Sequence, residues 1–246
     1  MCIRDSADTL HEPGNLRRAL HEAERTGAAL LSYSPHQILT GFAQHTVMPL
    51  IFSELASVYP PAKVNDPDDR TAAANGQFLL VQRDIYFAVG GHRAVGRSVL
   101  EDVALAHRVK RARNNIRLRF APEALSTRMY RGFSDMTEGW TKNLAVLFPH
   151  SLQLALWRLL DLVLILLPVL LWIMPYLETW KRLAILALWI RSLVRFYQRV
   201  ARAHLPILDT AISPLGLPLF IYLLIASWVQ HHVRHAVRWK GRTYRA

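Results

Sequence analysis

From Ala211 to Gln230 the chain runs for twenty residues, AISPLGLPLFIYLLIASWVQ, without one charged side chain. A helix of about twenty residues is what crosses the roughly 30 Å hydrocarbon core of a bilayer. This stretch is therefore expected to span a membrane. Leu152 to Pro175 is also long enough. Its two charges, Arg158 and Asp161, stand three apart on one helical face, where pairing lowers the cost of burying them. Leu183 to Val200 differs, because Arg191, Arg195 and Arg199 recur every fourth residue as a basic stripe. Such a stripe suits an interfacial helix as well as a spanning one.

Charge placement agrees with the membrane class. The hydrophobic fraction is 52% and the mean hydropathy is +0.13, with the apolar residues crowded into the last hundred positions. A net charge of +12 fits either nucleic acid or anionic lipid. Lys181, Arg182, Arg191, Arg195, Arg199 and Arg202 lie between apolar segments, and Arg234, Arg238, Lys240, Arg242 and Arg245 follow the last one. Juxtamembrane cations anchor a chain to anionic headgroups, so the charge calls for no nucleic acid. The single cysteine, Cys2, excludes an internal disulfide and a cysteine-rich zinc site.

The polar half alternates strand and helix signals, the pattern of an α/β fold. Pro13 to Thr26 reads as a surface helix with Leu16, Ala19, Leu20 and Ala23 on one face, stopped by Gly27. Ala28 to Tyr33 reads as a buried strand. His36 to Ser57 has helical spacing but contains Pro49, and Pro60 to Arg70 reads as a polar loop whose acids are solvated. Ile116 to Phe120 is a further strand and Ser126 to Arg131 an extended connection. Phe133 to Phe148 is a helix with Met136, Trp140, Leu144 and Leu147 on one face.

Between these elements lies NGQFLLVQRDIYFAVGGHRAVGRSVLEDVALAHRVKRAR, Asn75 to Arg113. Gly76 to Val81 is a strand-forming run and Gly90-Gly91 breaks the segment after it. Ser98 to Glu101 fits a capping box, which predicts a helix from near Val99 with Leu100, Val103, Ala104 and His107 along one face. Asp102 then stands in the first turn, where the helix N-terminus is expected to keep its carboxylate ionised. Spacing alone makes it no more than a helix-start acid.

The blocks NGQFLLVQRD, GGH and LEDVALAHRVKR resemble the acceptor-side half of family 2 glycosyltransferases, in particular membrane-bound bacterial members related to hopanoid-, carotenoid- and ceramide-type enzymes. The resemblance covers roughly Ala7 to Asn143 and is most specific over Asn75 to Arg111. It implies the C-terminal half of a GT-A-type nucleotide-sugar domain followed by C-terminal transmembrane helices. It also implies that Asp102 is the general base on the acceptor hydroxyl, and that Gly76, Gln77 and Glu101 contact substrate.

Where the family carries an Asp-x-Asp motif for a divalent cation, this chain has Asp8 at the second position and Ser6 at the first, with Asp5 out of register by one. The resemblance thus implies a magnesium or manganese ion with Asp8 as a ligand. The Gln-x-x-Arg-Trp motif of the family is replaced by Glu138-Gly-Trp140-Thr-Lys142-Asn143, so Trp140 and Lys142 stand as substrate-binding positions. The alternative for this pair is a core tryptophan and a solvated lysine.

The expected organisation is a non-native leader over 1–6, a partial GT-A-like catalytic domain over 7–148, two or three membrane helices over 149–230 and a basic tail over 231–246. The nucleotide-binding half is expected to be missing, leaving the chain itself inactive. The implied function is inverting transfer of a sugar from a nucleotide donor, a UDP-sugar by preference, to a lipid or lipid-like hydroxyl. A catalytic half that uses a nucleotide sugar faces the cytoplasm, which places a multi-pass chain in the cytoplasmic membrane. A non-catalytic membrane subunit or transporter fragment, whose soluble portion binds a partner, is the other reading. His231, His232 and His235 have helical spacing for a metal but are expected to be headgroup contacts.

Overall fold

The computed structural model describes residues 1–5, 8–96, 98–172, 177–234, 236–239 and 242–245. In chain order these form β1 (Cys2–Asp5), β2 (Thr9–His11), α1 (Asn15–Thr26), β3 (Leu30–Ser34), β4 (His36–Gln37), α2 (Phe42–Val58), α3 (Pro61–Asn65), β5 (Phe78–Val81) and α4 (Arg83–Ala88). Next come α5 (Glu101–Arg111), β6 (Ile116–Phe120), β7 (Leu125–Thr127), α6 (Phe133–Leu147), α7 (Ser151–Trp172) and α8 (Thr179–Val200). Last are α9 (Ile207–Ile212), α10 (Leu217–His232), β8 (Ala236–Trp239) and β9 (Arg242–Arg245).

Two compact units result, and they do not follow the chain. The first comprises residues 1–39 and 58–131, and the second residues 40–57 and 132–246.

The first unit is an α/β layer. Its main sheet has the order β1-β5-β3-β6, with β3 parallel to β6 and antiparallel to β5. Both faces are covered, which is why β5 is an unbroken apolar run, FLLV, and why β3 is buried on both sides from Leu30 to Tyr33 with only Ser32 polar among them. Leu30, Leu79, Val81 and Ile116 pack with Leu105, Ala106 and Val109 of α5. Leu31, Tyr33, Phe78 and Leu80 pack with Ala19 and Ala23 of α1. A smaller sheet, β2-β7-β4, adjoins the chain around Thr127.

The strands over Ala28–Tyr33, Gly76–Val81 and Ile116–Phe120 form as expected, with β3 and β5 starting two residues later than their signals. Gly27 closes α1 with φ +63, as its position in the sequence predicts. Leu16 is exposed, however, and Asn15 takes its place on the buried face. The 60–70 segment is less of a loop than its prolines suggest: Pro61 opens the short helix α3, since a proline in a first turn loses no hydrogen bond. The acids behind it make turns, with Asp66 accepting from the amide of Asp68 and Asp69 from that of Thr71.

Two expectations about α5 fail. Its N-cap is Leu100 with no side-chain cap, Ser98 is exposed, and the helix begins at Glu101, so there is no capping box. The buried face is Leu105, Ala106, Val109 and Lys110 rather than the Leu100, Val103, Ala104, His107 face. Lys110 explains the rotation. Its apolar stem is buried while its ammonium donates to the carbonyls of Val64 and Asp66 at 2.6 and 2.5 Å, a role its charge conceals in a hydropathy pattern.

The second unit is helical apart from the β8-β9 hairpin. α2 is buried on nearly every side despite Pro49, with Val47, Met48, Leu50 and Ile51 inside. α6 buries Met136, Trp140, Leu144 and Leu147 as its spacing predicts. α10 packs against α6 and α7, and α7 against α8. The stretch read as one helix over Ala211–Gln230 is broken: α9 ends at Ile212, a 3-10 turn covers Ser213–Gly216, and α10 follows. Pro214 and Pro218, which lack amide hydrogens, cause the change of winding.

Ser151–Trp172 and the composite Ile207–His232 are long and apolar enough to cross a membrane. Along α7 only Ser151, Ala155, Arg158 and Pro168 are buried. Its leucines form a continuous exposed apolar face of a kind that water-soluble proteins rarely present.

The pair foreseen within α7 is present, with Arg158 and Asp161 3.1 Å apart. It belongs to a larger group. Arg158 donates to Glu54 of α2 at 2.9 Å, and Arg199 of α8 meets Asp161 at 2.6 Å and Glu54 at 3.6 Å. Two acids and two arginines from three helices thus neutralise one another, which is the condition for keeping charges among apolar helices.

Candidate active site around Asp102

The site is built where β5 begins and α5 begins. Asn75 and Gly76 lead into β5, and Asp102 stands in the first turn of α5. The Gly76 amide donates to Asp102 Oδ2 at 2.7 Å, and the Val103 amide to Oδ1 at 2.8 Å. The approach is close: a Cβ at Gly76 would lie 3.2 Å from Asp102 Oδ2, so a larger residue there requires the carboxylate to give by a few tenths of an ångström.

Burial pushes the Asp102 carboxyl above the ordinary aspartate range, the Val103 and Gly76 amides oppose that rise, and the neighbouring Glu101 charge adds to it. Desolvation therefore outweighs the helix N-terminus, contrary to the expectation from position alone. Tyr59 shares these surroundings: burial raises its phenol, and the Asp102 charge raises it further.

A polar chain runs on from the turn that holds Gly76 against Asp102. The Asn75 amide donates to Ser32 Oγ at 2.8 Å, and the Asn75 carboxamide accepts from the Gln77 amide at 3.0 Å and donates to Gln77 Oε1 at 3.2 Å. Gln77 Nε2 then donates to Thr127 Oγ1 at 3.4 Å, and that hydroxyl donates to the Asp8 carbonyl at 3.1 Å. Gly76, Gln77, Glu101, Asp102 and the backbone of Asp8 thus belong to one connected region. Sequence reasoning missed Ser32, Asn75, Tyr59 and Thr127 as members of it. Only Asn75 carried a signal, as an Asx-turn residue directly before Gly76.

Trp140 and Lys142 belong to the second unit. Trp140 is buried inside the second unit, where its indole donates to Met48 Sδ at 3.2 Å and meets Phe52 edge-on. Its ring is engaged in packing. Lys142, also in the second unit, offers its carbonyl to His231 Nε2 at 2.8 Å. His232 stacks on Trp228, and His235 lies outside the described residues.

Asp8 is exposed. Among the described residues no group of three or more His, Cys, Asp or Glu is arranged to hold a metal ion. Asp8 by itself does not make a magnesium or manganese site, since such an ion surrenders its waters reluctantly to one carboxylate. The Gly90-Gly91-His92 turn is structural. Gly91 has φ +51, a Cβ there would come within 2.6 Å of the Tyr86 ring, and the Tyr86 hydroxyl sits 2.8 Å from His92 Nδ1.

The chain thus joins a mixed α/β unit holding a half-buried, amide-held aspartate to two helices apolar enough for a bilayer. The family model described as glycosyl transferase family 21 matches residues 57–246, and the chain belongs to that family. It is similar to 4,4'-diaponeurosporenoate glycosyltransferases of Staphylococcus aureus. The MRSA252 sequence is 25% identical over 226 residues, covering 87% of this chain and 58% of the relative, and the NCTC 8325 sequence has the same identity and coverage. The chain thus spans less than two thirds of the relatives it matches. No solved structure matches it.

The raised carboxyl has a measurable consequence for stability. An aspartate whose folded pKa exceeds its unfolded value of about 3.9 binds more protons when folded, so its contribution is greatest at low pH and falls as pH rises through the folded pKa. The melting temperature of the wild-type chain in detergent, compared with that of Asp102→Asn, is expected to decline as pH rises above about 4. A difference independent of pH would show that Asp102 is not desolvated.

Proposed function

We propose that this chain carries the acceptor side of an inverting glycosyltransferase, of GT-A type, that moves a sugar from a nucleotide donor to a lipid or lipid-like hydroxyl at the cytoplasmic membrane. The observation that supports it best is the half-buried Asp102 carboxylate, raised above the ordinary aspartate range by desolvation and aimed by the Gly76 and Val103 amides. In the reaction Asp102 takes the proton of the acceptor hydroxyl. The freed oxygen pair bonds to the anomeric carbon from the face opposite the leaving group. The bond to the diphosphate oxygen breaks, its electron pair departs with the nucleoside diphosphate, and the configuration inverts.

Gly76 positions the base, Gln77 and Asn75 brace the turn that carries Gly76, and Glu101 keeps negative charge beside it. Asp8 would offer one carboxylate to a divalent cation, and no step here is routed through that ion. Two observations support the membrane and lipid part of the reading: the exposed leucine face of α7, and similarity to enzymes named 4,4'-diaponeurosporenoate glycosyltransferase.

The test uses membranes from cells expressing the longest native reading frame that contains this chain, incubated with radiolabelled UDP-sugars. Label is expected in the organic-extractable lipid, with the anomeric configuration inverted. Label absent from lipid, or a product that retains the donor configuration, would overturn the reading. The chain should also stay in the membrane fraction through alkaline carbonate extraction.

A further inference from the structure

The exposed half of α8 is divided lengthwise. Leu183, Ala187, Ile190 and Val194, spaced four, three and four apart, form an exposed apolar strip. Arg191 and Arg195 stand exposed beside it, on a side of the helix that Leu188 shares. The third side of the helix turns inward, where Phe196 and Val200 are buried and the Trp189 indole donates to the Ile165 carbonyl of α7 at 3.0 Å. The arginine stripe is therefore split in use: Arg199 is bound to Asp161 and Glu54, while Arg191 and Arg195 point outward.

α8 contains five lysines and arginines and no acid. The apolar run between Arg182 and Arg191 is only Leu183–Ile190, about 12 Å of helix at 1.5 Å per residue, against roughly 30 Å of hydrocarbon. α8 is too short in its apolar part to cross a bilayer. Trp180 at its start, exposed and carrying an indole suited to the headgroup zone, fits the same level.

We propose that α8 lies at the headgroup level of the membrane and is a binding surface for anionic phospholipid, with Leu183, Ala187, Ile190 and Val194 against acyl chains and Arg191 and Arg195 on headgroup phosphates. Arg199 fixes the rotation of the helix by its ties to Asp161 and Glu54, so that the apolar strip and the two exposed arginines meet the lipid and water sides. The proposal rests on the chain being membrane-bound but not on its catalysing transfer.

The test places single spin-labelled cysteines at 183, 187, 190, 191, 194 and 195 in a Cys2→Ser background. The full chain is reconstituted in phosphatidylcholine vesicles with or without phosphatidylglycerol. Oxygen access is expected to be high at 183, 187, 190 and 194, and access of a water-soluble relaxant high at 191 and 195, with no trend in depth along the helix. A depth that rises to a maximum at mid-helix and falls again would show a crossing helix. Relaxant access at every position would show a helix in water. Either result overturns the proposal, and carbonate extraction of the same samples reports membrane insertion separately. In a second arm, spin-labelled phosphatidylglycerol is expected to be held in preference to phosphatidylcholine. That preference should fall on the order of tenfold in Arg191→Gln/Arg195→Gln. An unchanged preference would remove these arginines as the anionic-lipid contacts.

Discussion

In the longest native reading frame that contains this chain, and on the proposed role of Asp102 as base, Asp102→Asn is expected to lower transfer by roughly 10²–10⁴-fold while the protein folds and binds its donor almost as before. The amide keeps the size of the carboxyl group and can still accept the Gly76 amide hydrogen bond; the Val103 amide at the start of α5 loses its side-chain acceptor, so the variant is somewhat less stable but retains the packing of α5. What is lost is the proton acceptor. Because desolvation raises this carboxyl, the acid side of the wild-type rate profile should stand at a higher pH than an ordinary aspartate gives, since the base must be ionised to act. The measurement is initial rate against pH at saturating donor, for wild type and variant. A variant within a few-fold of wild type would assign the base to another residue.

The largest effect on folding is expected from Gly216→Ala. A Cβ at Gly216 would stand 2.3 Å from the Thr46 carbonyl oxygen, 2.6 Å from its carbon and 3.0 Å from the Val47 nitrogen. These are backbone atoms of α2, so no side-chain rotation relieves the clash and one of the two segments has to move. A loss on the order of 3 kcal/mol or more is expected. Gly132→Ala serves as the control, since nothing lies within 4 Å of a Cβ there and the backbone is extended. Its effect should stay within about 0.5 kcal/mol. Thermal unfolding of both variants in one detergent compares them, and equal melting temperatures would mean that α2 and the 213–216 turn are not in contact.

Much of the fold was legible because it follows from short-range rules. β5 is buried on both faces and so reads as an apolar run, and β3 is nearly so, with Ser32 the one polar residue among its buried positions. The inward face of α6 is a periodicity of one helix, and it came out as Met136, Trp140, Leu144 and Leu147. At the candidate site the position of Asp102 in a first turn was readable, but its electrostatics were not. The sequence shows the helix start that favours ionisation and conceals the burial that disfavours it, and burial is the larger effect. The capping box was misleading for a related reason. A serine three residues before a glutamate is only permission to cap, and here Ser98 is exposed while Leu100 takes the N-cap position without a side-chain bond.

The charged quartet marks the boundary between the two kinds of information. The sequence by itself determined that Arg158 and Asp161 would meet, since three residues along one helix bring side chains together whatever surrounds them. It determined in the same way which segments are apolar enough to need a bilayer or a core. Only the tertiary structure decided that Glu54, 104 residues away, and Arg199 complete the group, that α2 packs among the C-terminal helices, and that Lys110 turns the buried face of α5. Such partners are chosen by which surfaces exclude water together, and that choice is made between segments that no local window of sequence contains.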